Sequence, residues 1–219
     1  MKNPQLSLVH LYRPAAIETE NPAAVFLFHG YGSDEQDLFS FAPELPEQLA
    51  VISVRAPREM NPFGNAWYTI NFEAPQGKWS DIDQAIESRE MILTFLNEAI
   101  EAYGLDPDNI SLLGFSQGAV LSYAVALSYP EKIRNLMALS GYIDMKVLDE
   151  GFAEKPIDKL NIYISHGQVD QVIPNEWAQV SSETLRSMGI EHTYEEYPVG
   201  HGVSPQNFYS LKEWLERHI

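Results

Sequence analysis

Short apolar, β-branched runs alternate along this 219-residue chain with segments of helical periodicity. Strands that alternate with helices form a mainly parallel sheet with helices on both faces, so we expect an α/β fold. The polar link after the first run favours an antiparallel edge strand. The predicted strands are residues 7–12, 24–28, 49–54, 109–113, 136–139, 160–165 and, more weakly, 192–197.

The clearest helical pattern spans residues 80–103. Its apolar side chains recur with 3.6-residue periodicity, Ser80 stands at the N-cap position, and Gly104 ends the pattern. Pro174 and Pro205 are expected in the first turns of two later helices, where proline is tolerated. These further helices are predicted at residues 117–128, 174–188 and 205–218.

Segment 56–79 shows neither the alternation typical of a strand nor the 3.6-residue periodicity of a helix. It combines prolines and glycines with five aromatic residues, which predicts a long, structured loop. Such a loop either forms the wall of a binding site or only covers the core. The aromatic residues expected to form an apolar acyl site are Phe63, Trp67, Tyr68 and Phe72.

Composition narrows the possible functions. The net charge is -17 and the chain has no cluster of Lys and Arg, which argues against nucleic-acid partners. The absence of cysteine excludes a thiolate nucleophile and cysteine-held metal centres. The longest apolar run, residues 23–28, is too short to span a bilayer, and the N-terminus lacks a signal-peptide pattern. We expect a single domain over residues 1–219, located in the cytoplasm without stable membrane insertion.

The motif Gly114-Phe115-Ser116-Gln117-Gly118 joins a predicted strand to a predicted helix. In this G-x-S-x-G elbow a sharp turn exposes the serine hydroxyl, and the glycines avoid collisions with neighbouring backbone. A serine at a helix N-cap with a packing glycine is the simpler alternative. The strand–turn–helix context favours Ser116 as a nucleophile.

A serine nucleophile needs a base and an acid that orients the base. On this type of sheet the acid and then the histidine follow the serine in the chain. Asp170 follows one predicted strand, and His201 lies between glycines after the next. All three residues are therefore expected at the carboxyl edge of the sheet, where α/β folds bind ligands.

Other acids and histidines must be weighed against this assignment. Asp144 and Asp149 also precede His201, and Asp144 could supply the acid if its loop folds back. His166 is interpreted as a strand-end residue that packs near the site, and His29 as a brace for the loop that follows it. The three other histidines, which have no glycine on either side, are interpreted as partly exposed: His10, His192 and His218.

A buried strand leads into the glycine-rich turn at residues 29–34. In the predicted fold this turn supplies one oxyanion-hole N–H group, and the residue after the nucleophile supplies the other. The candidates are the backbone N–H groups of Tyr31 and Gln117. The turn does not match the dinucleotide-binding or P-loop patterns, so neither NTP nor dinucleotide binding is indicated.

Five blocks in order resemble the phospholipase/carboxylesterase family of α/β hydrolases, which includes acyl-protein thioesterases: 29–32 (HGYG), 67–68 (WY), 114–118 (GFSQG), 166–174 (HGQVDQVIP) and 200–202 (GHG). The resemblance implies a hydrolase without a large cap domain that needs no cofactor or metal. It implies a Ser116–Asp170–His201 triad, with Trp67 beside the acyl pocket. Tyr31 replaces a leucine common in the acyl-protein thioesterases, so protein depalmitoylation does not follow.

The function expected from these observations is cleavage of small carboxylic esters, with thioesters and lysophospholipids as further substrate classes. Three alternatives remain: a serine peptidase of the same fold, a non-catalytic binding module, and a metallohydrolase built on His29, His166, His201 and Asp170. No helix carries a metal-binding H-E-x-x-H motif. A homodimer is left open.

Overall fold

The computed structural model describes residues 4–17, 19–71 and 79–219. Its strands are β1 (His10–Arg13), β2 (Ala24–Phe28), β3 (Ala50–Val54), β4 (Arg58–Glu59), β5 (Asn65–Ala66), β6 (Ile70–Asn71), β7 (Trp79–Ser80), β8 (Ile110–Phe115), β9 (Asn135–Leu139), β10 (Asn161–Gly167) and β11 (Thr193–Tyr197). Its α-helices are α1 (Gln36–Phe39), α2 (Ile82–Tyr103), α3 (Gln117–Ser128), α4 (Asn175–Ser187) and α5 (Pro205–Glu216). Short 3₁₀ turns occupy Ala42–Glu44, Pro130–Lys132 and Phe152–Glu154.

In the described residues seven strands form one sheet in the order β1-β3-β2-β8-β9-β10-β11. Strand β1 pairs antiparallel with β3 at one edge, and all other neighbouring strands are parallel. The expected α/β architecture and antiparallel first strand are confirmed. The edge strands β1 and β11 are only partly buried, whereas β2, β3 and β9 are fully buried.

Helix α2 begins two residues later than predicted, and the prediction of Ser80 as its N-cap is wrong. Ser80 pairs with Ile70 in a two-residue ladder, so its backbone is already committed to β7. Asp81 caps the helix instead, because its Oδ1 accepts the N–H of Gln84 at 3.0 Å. Pro174 also lies just outside its helix, at the N-cap of α4, with an extended ψ of 137°.

The segment predicted as a long loop contains two small antiparallel ladders, β4–β5 and β6–β7. Its residue Phe72 lies outside the described residues. Trp67 is completely buried and packs edge-on against Phe28 in the core, with the ring centroids 5.6 Å apart. This part of the segment therefore covers the core, as one of the two interpretations expected.

Helices cover both faces of the sheet. On one face, buried residues of α2, α3 and α4 join a large apolar cluster, and on the other face α1 and α5 pack on a smaller one. All twelve residues of α3 are buried, which matches their nearly continuous apolar sequence. Among the described residues, no helix has the length and apolar character needed to cross a membrane.

Candidate active site

Ser116 occupies a sharp turn between β8 and α3. Its φ of 56° lies in the left-handed region that non-glycine residues rarely adopt. A Cβ atom on Gly114 would lie 2.4 Å from the carbonyl oxygen of Gly118, and one on Gly118 would lie 2.0 Å from that of Phe28. The two glycines of the motif are therefore required by close backbone approach, as the motif predicted.

Asp170, His201 and Ser116 form a hydrogen-bonded chain. The Ser116 hydroxyl donates to His201 Nε2 at 2.9 Å, and His201 Nδ1–H donates to Asp170 Oδ2 at 2.7 Å. The other carboxylate oxygen of Asp170 accepts the backbone N–H groups of Val172 and Ile173, at 2.8 and 3.0 Å. These bonds leave His201 Nε2 free to accept the hydroxyl proton.

The carboxyl group of Asp170 is fully buried and remains an anion at neutral pH. Burial raises its pKa, but the hydrogen bonds from His201, Ile173 and Val172 outweigh burial and bring the pKa below its ordinary value. A carboxylate therefore lies beside His201 Nδ1 and orients the ring through an N–H···O hydrogen bond.

Two loops at the carboxyl ends of β10 and β11 bring the acid and the histidine together. A Cβ atom on Gly167 would lie 2.2 Å from the carbonyl oxygen of Gly200, so the absence of a side chain at Gly167 allows this close backbone approach. The N–H of Gln168 donates to the carbonyl of Tyr197 at 2.8 Å. Parallel pairing of β10 with β11 and the close approach at Gly167 therefore bring Asp170 and His201 together, although they are 31 residues apart in the chain.

The glycine-rich turn after β2 lies against the elbow and is braced by His29. The N–H of Ala56 donates to His29 Nε2 at 3.0 Å, so the other ring nitrogen carries the proton and donates to the carbonyl of Gly30 at 2.8 Å. Burial lowers the pKa of His29, which keeps this histidine neutral. The structure therefore places His29 as the brace that the sequence suggested.

Tyr31 and Gln117, whose N–H groups are the candidate oxyanion donors, both line the same cavity as Ser116. Gln117 is the first residue of α3, where backbone N–H groups have no acceptor within the helix. Its side chain has a second role, because it accepts the N–H of Trp67 at 2.8 Å and donates to the carbonyl of Tyr68 at 2.7 Å. This clamp joins the β5–β6 connection to the elbow.

A cavity of about 260 Å³ opens in front of Ser116. Of the four aromatic residues expected to form the acyl site, Tyr68 lines this cavity and Phe72 lies outside the described residues. Trp67 is buried behind the wall, where its indole N–H donates to the carbonyl of His29 at 3.0 Å, and Phe63 is 79% exposed outside the cavity. The described lining residues are Gly30, Tyr31, Ser33, Asp37, Tyr68, Ile70, Ser80, Phe115, Ser116, Gln117, Val120, Tyr142, Val172, Ile173 and His201.

The sequence prediction did not include several of these wall residues. Tyr142 follows β9, and Val172 and Ile173 follow β10, so all three lie beyond the carboxyl ends of parallel strands. That position is itself a signal for ligand contact in α/β folds. Asp37 carried no comparable signal, because it belongs to a four-residue helix without clear periodicity.

The residues considered as alternatives to Asp170 and His201 make hydrogen bonds elsewhere. Asp144 accepts the backbone N–H of Lys146 at 3.1 Å. His166 donates from Nε2 to the carbonyl of Ile173 at 2.9 Å, with Asp170 Oδ2 3.4 Å away, so it packs beside the site as expected. No group of three or more His, Cys, Asp or Glu side chains that could hold a metal occurs in the described residues.

A family model described as phospholipase/carboxylesterase matches residues 15–219. A probable carboxylesterase of Oryza sativa is 29% identical over 157 residues, which are 70% of this chain and 58% of the rice protein, less than two thirds of its length. Acyl-protein thioesterase 1 of Aspergillus fumigatus is 25% identical over an alignment of 227 positions, which covers 91% of this chain and 89% of the fungal protein. The fold is similar to that of a Bacillus cereus carboxylesterase, with a TM-score of 0.83, 19% identity and coverage of 97% and 95% of the two chains.

Proposed function

Because this chain belongs to the phospholipase/carboxylesterase family of α/β hydrolases, we propose that it cleaves small carboxylic esters through an acyl-enzyme on Ser116. The proposal depends chiefly on one observation, the hydrogen-bonded chain from Asp170 through His201 to the elbow serine. Thioesters are a second substrate class, favoured by the similarity to an acyl-protein thioesterase. Cleavage of either class begins with attack on the same carbonyl carbon.

In the first half-reaction the Ser116 oxygen attacks the substrate carbonyl as His201 Nε2 takes the hydroxyl proton. Asp170 holds the imidazole in the tautomer whose Nε2 is a free acceptor, and its charge stabilises the imidazolium. The backbone N–H groups of Tyr31 and Gln117 stabilise the oxyanion. Loss of one such donor costs about 3 to 4 kcal/mol of transition-state stabilisation in well-studied enzymes.

The tetrahedral intermediate collapses when His201 returns its proton to the departing alcohol oxygen or thiol sulfur. The acyl group then remains on Ser116 as an ester. In the second half-reaction His201 takes a proton from water as the water oxygen attacks this ester, and the same steps release the carboxylic acid and restore the Ser116 hydroxyl.

The first prediction is that Ser116→Ala abolishes hydrolysis of p-nitrophenyl butyrate, with kcat/KM at least about a thousandfold lower than in the wild type. A fluorophosphonate probe should label the wild type at Ser116 and leave the variant unlabelled. Ser140→Ala is a matched control, because Ser140 is also buried and also has a positive φ of 51°. This control should retain activity and labelling.

Three results would contradict the proposal or favour an alternative. Hydrolysis by Ser116→Ala at the wild-type rate would exclude Ser116 as the nucleophile. A folded wild type that neither hydrolyses esters nor reacts with the probe would favour the non-catalytic binding module. Loss of activity in a chelator would favour the metallohydrolase.

A further inference from the structure

The cavity in front of Ser116 has two chemically different walls. One wall is apolar and suits an acyl chain; it is formed by Tyr68, Ile70, Val120, Tyr142, Val172 and Ile173. A second group of lining residues, Tyr31, Ser33 and Asp37, comes from the glycine-rich turn and α1. If the acyl chain of an ester packs on the apolar residues, this second group is left for the alcohol part.

Asp37 and His201 are the only Asp, Glu, Lys, Arg or His residues among the described residues that line this cavity. The Ser33 hydroxyl donates to Asp37 Oδ2 at 2.9 Å, which orients the carboxylate without neutralising it. In the described part of the chain no Lys, Arg or His lies within ion-pair distance of Asp37. Among the described residues, its charge therefore has no ion-pair partner at the cavity wall.

The carboxylate of Glu35 differs from that of Asp37 because it has a cationic partner. Glu35 forms a two-point ion pair with Arg55, with both N–O distances at 2.5 Å. This pairing lowers the pKa of Glu35 and compensates its charge. Of these two carboxylates, two residues apart, only Asp37 lines the cavity and lacks a described cationic partner.

We propose that Asp37 is a specificity-determining residue that favours esters of positively charged amino alcohols. A carboxylate attracts an ammonium group, and aromatic rings also bind cations; the aromatic residues Tyr31 and Phe115 line the same cavity as Asp37. This inference rests on the proposed function.

The test compares butyrylcholine with its neutral isostere, in which a tert-butyl group replaces the trimethylammonium group. The measured quantity is the ratio of the two kcat/KM values within one enzyme preparation, so incomplete folding of a variant cancels. Intrinsic reactivity of the two esters also cancels when this ratio is compared between enzymes. We expect Asp37→Asn to lower the ratio about 3- to 10-fold at low ionic strength, since the carboxylate is exposed and partly screened.

Asp34→Asn is the matched control. It removes the same charge three residues earlier in the chain, but Asp34 does not belong to the described cavity lining, and its carboxylate accepts the N–H of Gln36 at 2.9 Å. We expect this variant to change the ratio less than about twofold. Added salt should lower the ratio in both enzymes, because it screens the field of the surface charge, and the wild-type ratio should stay above that of Asp37→Asn.

The outcomes separate this inference from the proposed function. An unchanged ratio in Asp37→Asn, or an equal fall in Asp34→Asn, would overturn the role of Asp37 while ester hydrolysis stands. Failure of the wild type to hydrolyse the neutral isostere and p-nitrophenyl butyrate would overturn the proposed function, and the inference with it.

Discussion

Residues of the candidate site differ from residues of the same type elsewhere in the chain by individual atomic contacts. Asp170 and Asp144 both follow strands of the sheet, yet only the carboxylate of Asp170 accepts a hydrogen bond from His201. Gly118 and Gly151 are both glycines, yet only at Gly118 would an added Cβ atom lie within 3 Å of a carbonyl oxygen. Substitutions at these pairs test the assignments directly.

At Asp170, substitution by Asn should lower kcat for ester hydrolysis about a thousandfold or more. The amide oxygen of Asn can keep the N–H bonds of Val172 and Ile173, so its NH₂ group would face His201 Nδ1 and favour the wrong tautomer. Steady-state kinetics should show Asp144→Asn within about threefold of the wild type. The reverse order of effects would make Asp144 the orienting acid.

At Gly118, substitution by Ala should destabilise the protein by at least about 3 kcal/mol. The added Cβ would meet the backbone carbonyl of Phe28, which cannot rotate away as a side chain could. In Gly151→Ala the nearest atom lies 4.0 Å from the new Cβ. Urea denaturation should show this control within about 1 kcal/mol of the wild type, and equal stability of the two variants would refute the argument.

At the scale of elements, β11 and its connections hold the histidine loop in place. Glu196, on β11, accepts hydrogen bonds from Gln179 of α4 at 2.9 Å and from Tyr194 at 2.8 Å. These bonds lower the pKa of Glu196 to about 2. The loop that carries His201 begins just beyond this strand, so an ionised Glu196 supports the element that positions His201.

This lowered pKa predicts a pH-dependent stability. A carboxyl group that ionises more readily when folded stabilises the protein above its unfolded pKa of 4.5, and that contribution is lost as the pH falls towards 2. Glu196→Gln should therefore be less stable than the wild type by about 1 kcal/mol at pH 7, a value reduced by solvent screening. Thermal denaturation should show the stability difference between the two proteins shrinking as the pH falls from about 4.5 towards 2. Glu191→Gln, which changes an exposed neighbour, should have the stability of the wild type at every pH.

At the scale of the whole molecule, the net charge of -17 sets a field that acts on charged substrates. The carboxylate of Asp37, which has no ion-pair partner among the described residues, lies at the cavity itself and adds a local negative potential. The two contributions differ in range, since salt screens distant surface charges more completely than a charge beside the bound ester.

The molecular charge predicts slow turnover of anionic esters at low salt. The kcat/KM of mono-p-nitrophenyl adipate, relative to that of p-nitrophenyl hexanoate, should rise severalfold between about 10 and about 300 mM NaCl. The neutral ester controls for general salt effects on the enzyme. Faster turnover of the anionic ester at low salt would contradict the prediction.

The order of strands and helices and the residues of the elbow could be predicted from sequence, because periodicity and turn stereochemistry depend on near neighbours in the chain. Helix α3 begins and ends where predicted, and the glycines flanking Ser116 predicted its close backbone contacts. The start of α2 could not be fixed in this way, since pairing of Ser80 with Ile70 in the β6–β7 ladder competes with the helix.

Tertiary structure decided which distant groups meet. Ser116 and His201 are 85 residues apart, and only the packing of their loops brings their reacting atoms to 2.9 Å. The Gln117 clamp and the placement of Asp37 at the cavity likewise depend on contacts between segments that local patterns do not relate. The sequence alone therefore determined the type of fold and the elbow that carries Ser116, whereas tertiary packing determined the shape, charge and hydrogen bonding of the cavity in front of it.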